Sequence, residues 1–210
     1  MDALLTLPQL SAFLVAAVLI TLAPGPDNLM VLSLGVARGR EAGIAFGLGC
    51  ALGCLSHTAL AALGISALIA ASAGAFAALK IAGGLYLVWL GVQAIRNARA
   101  FGATARELPA EGAARLFAKG LVANAVNPKV ILFFLAFLPQ FVAAGRSPGA
   151  QIVQLGLAFT LQAALIFAAI GWFAGGIGQS LQRHPAIGAW LDRLAGGIFV
   201  LLGLRLIAAR

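Results

Sequence analysis

The chain has 210 residues, of which 62% are hydrophobic and only 10% are charged, and its mean hydropathy is +1.02. Soluble domains carry about 25% charged residues, so this composition excludes a soluble globular protein and indicates an integral membrane protein. The formal net charge is +8, but the basic residues lie mainly in short segments between apolar runs, which argues against nucleic-acid binding.

The apolar runs predict an all-α membrane protein with six transmembrane helices. The predicted spans cover residues 8–37, 42–71, 74–97, 117–143, 149–180 and 187–208. Each is at least as long as the ~20 residues that a helix needs to cross the hydrocarbon core. Little of the chain is left outside the bilayer, so we expect the function to be performed within it.

The first span is interrupted by two prolines and a carboxylate, in the run Ala23-Pro24-Gly25-Pro26-Asp27-Asn28. Proline removes a backbone donor and clashes with the preceding turn. In lipid, broken backbone is tolerated only where it is buried in protein or lines a cavity. The sequence therefore predicts a helix break at Pro24, Gly25 and Pro26, beside an internal cavity.

The second span contains Cys50, Cys54 and His57. We interpret the two cysteines as packing residues, because two thiols without further ligands make a poor metal site. His57 is a candidate for proton coupling, with a packed neutral histidine as the alternative.

Residues 98–116 form the longest polar stretch and predict a cytoplasmic linker between two repeats, residues 1–97 and 117–210. Similar motifs occur in the third and sixth spans: Lys80-Ile81-Ala82-Gly83-Gly84 and Arg193-Leu194-Ala195-Gly196-Gly197. Three spans per repeat is an odd number, so the second repeat is expected to be inverted in the membrane.

The second break lies in the fourth span, at Asn124-Ala125-Val126-Asn127-Pro128-Lys129. Asn127 is suited to the N-cap and Pro128 to the first position of a new half-helix. At about 1.5 Å per residue, Asp27 lies about 24 Å from the outer face and Lys129 about 16 Å from the inner face. In a membrane of ~40 Å these depths coincide, so the two breaks are expected to meet.

Apart from His57, Asp27 and Lys129 are the ionisable residues that lie well inside the spans. A charge at the bilayer centre costs at least ~2.5–3.5 kcal/mol, so such residues are functional candidates. One acidic and one basic group suit a substrate with an ammonium and a carboxylate. Further polar side chains are predicted to bind the same substrate: Asn28, Asn124, Asn127 and Tyr86. The alternative is a static Asp27–Lys129 ion pair that only joins the repeats.

Basic residues concentrate in the first, third and fifth connections between spans, which are therefore expected to be cytoplasmic. Both termini are then expected on the outer side of the membrane.

Several segments together resemble the LysE/RhtB family of bacterial amino-acid exporters. They are the run at 23–28, the turn at Gly35–Gly43, Lys80–Gly91, Asn124–Lys129, Phe133–Phe141 and the stretch at 196–206. The resemblance covers essentially the whole chain. It implies a multi-pass inner-membrane protein that exports amino acids or close derivatives and is driven by the proton-motive force.

We therefore expect a secondary exporter of an amino acid or similar small zwitterion, with the lipid bilayer and protons as further partners and a homodimer left open. A divalent-cation exporter is the nearest alternative, although hard cations require several oxygen ligands. An intramembrane enzyme is a second alternative, but no Ser/His elbow or carboxylate pair is evident. No cofactor or metal is expected, and the phosphate-binding loop of nucleotide-driven pumps is absent from the sequence.

Overall fold

The computed structural model describes residues 5–96, 111–143 and 147–208, and the regular elements within these residues are all helical. Helices α1 to α8 are, in chain order, Leu7–Leu22, Pro26–Arg38, Arg40–Ala71, Ala73–Arg96, Ala113–Ala125, Pro128–Leu132, Pro148–Arg183 and Pro185–Ala208. A π-helical turn, Phe133–Phe137, and a 3-10 turn, Leu138–Phe141, continue the chain after α6.

Three segments are long and apolar enough to cross a membrane: Arg40–Gly64, Gly74–Arg96 and Pro148–Leu181. The number of candidate spans rises to five if each of two bent helix pairs is one span. These correspond to five of the six predicted spans. The sixth, residues 187–208, is helical as part of α8 but is not among these candidates, so a sixth crossing stays a prediction.

The chain leaves helical geometry at both proline motifs. Helix α1 ends at Leu22 and α2 begins at Pro26, and the bend between them is 57°. The second bend, between α5 and the segment Pro128–Phe141, is 50°. Each new helix starts with a proline, whose missing N–H would be unpaired at that position in any case. The two bends therefore create four half-length segments.

Helix α5 begins at Ala113, four residues before the predicted start of the fourth span. The physical reason is amphipathic packing, because Leu116 is buried while the Arg115 and Lys119 side chains remain exposed. Glu111 precedes this helix and accepts a hydrogen bond from Lys119 Nζ at 2.6 Å. That contact holds the pKa of the Glu111 carboxyl below its usual range.

The longest helices pair in opposite directions. Helix α3 packs against α7, and α4 packs against α8, and each of these two contacts is extensive. Between α3 and α7, the residues that approach each other are Gly43 with Gly171, Gly47 with Phe167, and Thr58 with Gly156. Between α4 and α8, they are Gly84 with Gly203 and Gly91 with Gly196. In both pairs the residue number rises along one helix as it falls along the other, so both pairs are antiparallel.

A cluster of phenylalanines fills one end of the molecule, towards the N-termini of α1 and α7. Its members are Phe13, Phe133, Phe134, Phe137, Phe141 and Phe159, with neighbouring ring centroids 5.0–6.5 Å apart. Two glutamines close the same end. Gln9 Nε2 donates to Gln151 Oε1 at 2.8 Å and to the Phe141 carbonyl. The fully buried Gln151 amide also bonds both the N–H and the C=O of Ala143.

The contact between α4 and α8 predicts a difference between two neighbouring glycines. A Cβ at Gly196 would lie 2.5 Å from Gly91 O, whereas one at Gly197 would meet nothing within 4 Å. We expect Gly196→Ala to lower the thermal unfolding midpoint in detergent, with an overpacking cost of about 1–3 kcal/mol. Gly197→Ala is the matched control and should be neutral or stabilising, because alanine favours helices over glycine. Equal midpoints for the two variants would contradict the close approach.

Candidate functional site

The two helix breaks meet, and each buried charge reaches across to the other break. Asp27 lies in the first turn of α2 and Lys129 in the first turn of α6, with 4% and 8% of their surfaces exposed. Asp27 Oδ2 accepts a hydrogen bond from Asn124 Nδ2 at 2.8 Å, and Lys129 Nζ donates to Ala23 O at 2.9 Å. Hereafter we refer to these two hydrogen bonds as the crossed contacts.

The crossed contacts replace a direct ion pair. Among the described residues, Asp27 and Lys129 have no N···O contact within 4.0 Å, so a static pair of the two side chains is not what holds the breaks together here. Lys129 instead lies against Gly25, where a Cβ would be 3.1 Å from Nζ, and its ammonium faces the Phe199 ring at 5.5 Å. The glycine thus leaves room for the ammonium group.

Side chains also satisfy the carbonyl groups at the ends of α1 and α5. A helix C-terminus has unpaired carbonyls and partial negative charge, both of which are costly at membrane depth. Asn28 Nδ2 donates to Thr21 O at 2.7 Å, and His57 Nε2 lies 3.0 Å from Asn124 O. A carbonyl only accepts, so the imidazole nitrogen in this contact carries the proton.

The start of α6 has the geometry expected from the sequence. Asn127 is the N-cap, and its Oδ1 accepts from Lys129 N at 3.0 Å, while Pro128 occupies the first position. At the first break, Gly25 is the N-cap of α2 and gives no side-chain cap. Both breaks therefore present the N-terminus of a new helix close to a buried charge.

A small cavity lies between the two breaks and the phenylalanine cluster. Its lining residues are Ile20, Thr21, Asp27, Asn28, Cys54, Asn124, Lys129, Val130, Phe133, Phe159, Ala163 and Phe167. The space open to the centre of a water molecule is about 20 Å³. That is enough for about one water. Its lining includes both charged residues, Asp27 and Lys129, together with apolar side chains such as Phe133 and Phe167.

Three buried amide atoms around the two breaks have no hydrogen-bond partner among the described residues: Asn28 Oδ1, Asn127 Nδ2 and Gln162 Oε1. Gln162 uses its other atom, Nε2, to donate to Thr21 Oγ1 at 2.8 Å. Buried polar atoms are normally paired, since an unpaired one costs about 1–3 kcal/mol. These atoms are therefore suited to hydrogen bonds with a polar ligand or with water.

A second, larger space is also lined by Asp27. It has a volume of about 410 Å³ and is lined by Pro26, Asp27, Met30, Phe46, Lys119, Ala123, Val126, Asn127 and Pro128. It runs between α2 and α5 from the break to Lys119, next to Glu111. Within the described part of the chain, Asp27 is thus the one charged residue that lines both spaces.

The structure does not bring every predicted residue to these spaces. Tyr86 stacks on Trp89, with ring centroids 5.3 Å apart, and lines neither space. His57 also lines neither space, and it contacts the backbone oxygen of Asn124.

Thr21 and Cys54 were not predicted as site residues. Thr21 lies shortly before the first break, and Cys54 shares a helix face with His57 at a spacing of three residues. These two sequence positions are the features from which a role at the site could be predicted. Within the described residues, no three His, Cys, Asp or Glu side chains are grouped to hold a metal ion.

Similarity to known proteins covers nearly the whole chain. Residues 18–210 match the family model described as LysE type translocator. An uncharacterized membrane protein of Vibrio cholerae is 33% identical over 95% of this chain and 96% of its own length. The homoserine/homoserine lactone efflux protein of Salmonella typhimurium is 30% identical over 95% of this chain and 96% of its own length. The threonine efflux protein of Escherichia coli K12 is 29% identical over 90% of this chain and 92% of its own length. No solved structure is significantly similar to the chain. By the extent of the family match, this chain belongs to the LysE type translocator family.

Proposed function

We propose that the protein is a secondary active exporter of an amino acid or a closely related small zwitterion across the bacterial inner membrane. The family is one of translocators, and two relatives are named for the efflux of threonine and of homoserine, so the chain is a transporter and not an enzyme. The observation that carries the proposal is the pair of opposite, buried charges that line one cavity, where the two breaks meet.

In this proposal, the two buried charges determine how the substrate is oriented. Asp27 binds the ammonium group, and Lys129 binds the carboxylate when its own ammonium leaves Ala23 O. Asn28, Asn124 and Asn127 provide amide groups around them. Tyr86 lies outside both spaces, so in this proposal it contacts substrate only in another conformation.

The volumes favour a conformation that is closed on one side. A cavity of about 20 Å³ is too small for an amino acid, whereas the space of about 410 Å³ is large enough for one. The phenylalanine cluster and the Gln9–Gln151 contact block the other end. We infer that substrate reaches Asp27 along α2 and α5 from the cytoplasm, and that release requires the phenylalanine cluster to open.

Two inverted repeats, residues 1–97 and 117–210 joined by a linker at 98–116, are part of this proposal. It is supported by the antiparallel packing of α3 with α7 and of α4 with α8, because equivalent helices of an inverted repeat run in opposite directions. The crossed contacts support the repeat as well, because in each of them a residue after one break bonds a residue before the other break. Homodimerisation is a further prediction, which the mass of the detergent-solubilised protein would test.

The loop charges predict that both termini lie outside the cytoplasm. A fluorescent reporter that matures only in the cytoplasm, fused after Arg210, is expected to stay dark. The same reporter fused at the predicted cytoplasmic linker, after Thr104, is the positive control. Bright fluorescence from the C-terminal fusion would overturn the proposed orientation.

Export is tested by loading cells with dipeptides, each of which supplies one of the twenty amino acids. Cells that express the protein are expected to release at least one amino acid severalfold faster than cells with an empty vector. No accelerated release of any amino acid would contradict the proposal. Resistance to an added divalent cation in the same cells would then favour the cation-exporter alternative.

Coupling to the proton-motive force is proposed to occur at Asp27, since this carboxylate lines both spaces. Asp27→Asn keeps the side-chain size and removes the titratable group. In proteoliposomes at saturating substrate, this variant is expected to lose uphill export driven by a proton gradient and to retain downhill exchange with a raised KM, because the neutral amide binds the ammonium more weakly. Full uphill export by Asp27→Asn would contradict the assignment and leave His57 as the candidate.

A further inference from the structure

We propose that Gly53, Cys54 and His57 of α3 are positioning residues, which hold Asn124 so that its amide group orients Asp27. The inference rests on the proposed function, in which Asp27 binds the substrate ammonium. It gives the thiol and the imidazole roles that differ from packing and from proton transfer. All three residues lie within about one turn of α3 and face the end of α5.

Asn124 is the centre of a hydrogen-bond network that uses each of its polar ends. Its Nδ2 donates to Asp27 Oδ2 at 2.8 Å, its Oδ1 accepts from Cys54 Sγ at 3.5 Å, and its backbone oxygen accepts from His57 Nε2 at 3.0 Å. The residue is 1% exposed, so these partners lie away from bulk solvent. Asp27 therefore depends on a side chain that α3 holds in place.

The thiol supports the direction in which the amide of Asn124 points, together with the Asp27 carboxylate at the other end of the amide. An asparagine amide has a donor end and an acceptor end of nearly the same shape, and a reversed amide would direct Oδ1 at the Asp27 carboxylate. Cys54 favours the observed orientation because its S–H donates to Oδ1. The thiol also lies 3.6 Å from Cys50 O within its own helix, but that carbonyl is a helical acceptor, whereas Oδ1 has no other donor among the described residues.

Glycine at position 53 makes this approach sterically feasible. A Cβ at Gly53 would lie 2.8 Å from Asn124 Cβ and 2.9 Å from its Oδ1. Any larger residue at this position would push the amide away from α3. Gly53 therefore belongs with the two polar residues in one recognition surface for Asn124.

His57 completes the arrangement by bonding the backbone of Asn124. The imidazole is 3% exposed and packs on Phe134, with ring centroids 5.7 Å apart. The contact needs only an N–H at the Nε2 position, and no change of protonation. An uncharged donor of similar length, such as glutamine, can replace histidine in this role, but not as a proton carrier.

Transport kinetics in proteoliposomes test the inference. Loss of one net hydrogen bond corresponds to about 0.5–1.5 kcal/mol, so Cys54→Ala is expected to raise the substrate KM about two- to tenfold with a smaller change in maximal rate. Cys54→Ser restores a donor and should bring KM back to within about twofold of the wild type. Cys50→Ala is the matched control, because Cys50 is equally buried one turn away but does not contact Asn124. Unchanged KM in Cys54→Ala, or failure of Cys54→Ser to restore it, would overturn the role of the thiol.

Two histidine variants separate positioning from proton transfer. We expect His57→Gln to retain most uphill export, and His57→Leu to raise KM as Cys54→Ala does. If His57→Gln loses uphill export but keeps downhill exchange, His57 carries a proton and the positioning role is wrong.

A spectroscopic measurement tests the network even if no amino acid is transported. In protein with ¹⁵N-labelled asparagine, the side-chain amide signals of Asn124 are expected to shift in Cys54→Ala and Gly53→Ala, and to stay in place in Cys50→Ala. Identical signals in all three variants would overturn the inference. Shifted signals in a protein that exports nothing would instead show that the positioning network stands and that the proposed function fails.

Discussion

The structure depends on one constraint: two membrane helices are broken, and the backbone groups exposed by each break must find partners without water. Each break leaves carbonyls at a helix C-terminus and places a charged residue in the first turn of the next helix. Lys129 satisfies the carbonyl of Ala23, and Asn124 at the end of α5 binds Asp27. Neither break has these partners within its own half of the chain, so each half completes the other.

This mutual dependence provides partners for both buried charges. An isolated ion in the bilayer is costly, but here Asp27 receives an amide donor and Lys129 receives a carbonyl and an aromatic face. Because these partners are weaker than an opposite charge at contact distance, the proposed substrate would compete with them through its own ammonium and carboxylate groups. A direct Asp27–Lys129 pair would be harder to separate. In the proposed function, the crossed contacts are thus the interactions that a substrate would replace.

The sequence predicted the features that local chemistry determines. Proline, glycine and asparagine specify where a helix ends and where the next begins, so both breaks and the Asn127 cap were foreseen at their positions. Hydropathy predicted helices, but α5 begins at Ala113 because its first turn is amphipathic, which a hydropathy average does not register.

Contacts between residues that lie far apart in the sequence are harder to predict. The partner of Lys129 was expected to be Asp27 or a substrate, whereas it is a backbone carbonyl, which no sequence pattern marks. Tyr86 was expected at the site and instead stacks on Trp89. The sequence favours a packing role for Cys54, because its hydrogen-bond partner, Asn124, lies 70 positions away along the chain.

The central claim is that Asp27 and Lys129 bind opposite ends of one substrate. Solid-state NMR on the protein in lipid bilayers can measure it with the amino acid found in the efflux experiment, labelled with ¹⁵N at the amino group and ¹³C at the carboxyl group. The protein also carries isotope labels at Asp27 and Lys129. We expect a distance of about 4 Å from the amino nitrogen of the substrate to the Asp27 carboxylate, and of about 4 Å from its carboxyl carbon to Lys129 Nζ. A bound amino acid with both distances well beyond that value, or with its two ends reversed, would contradict the account.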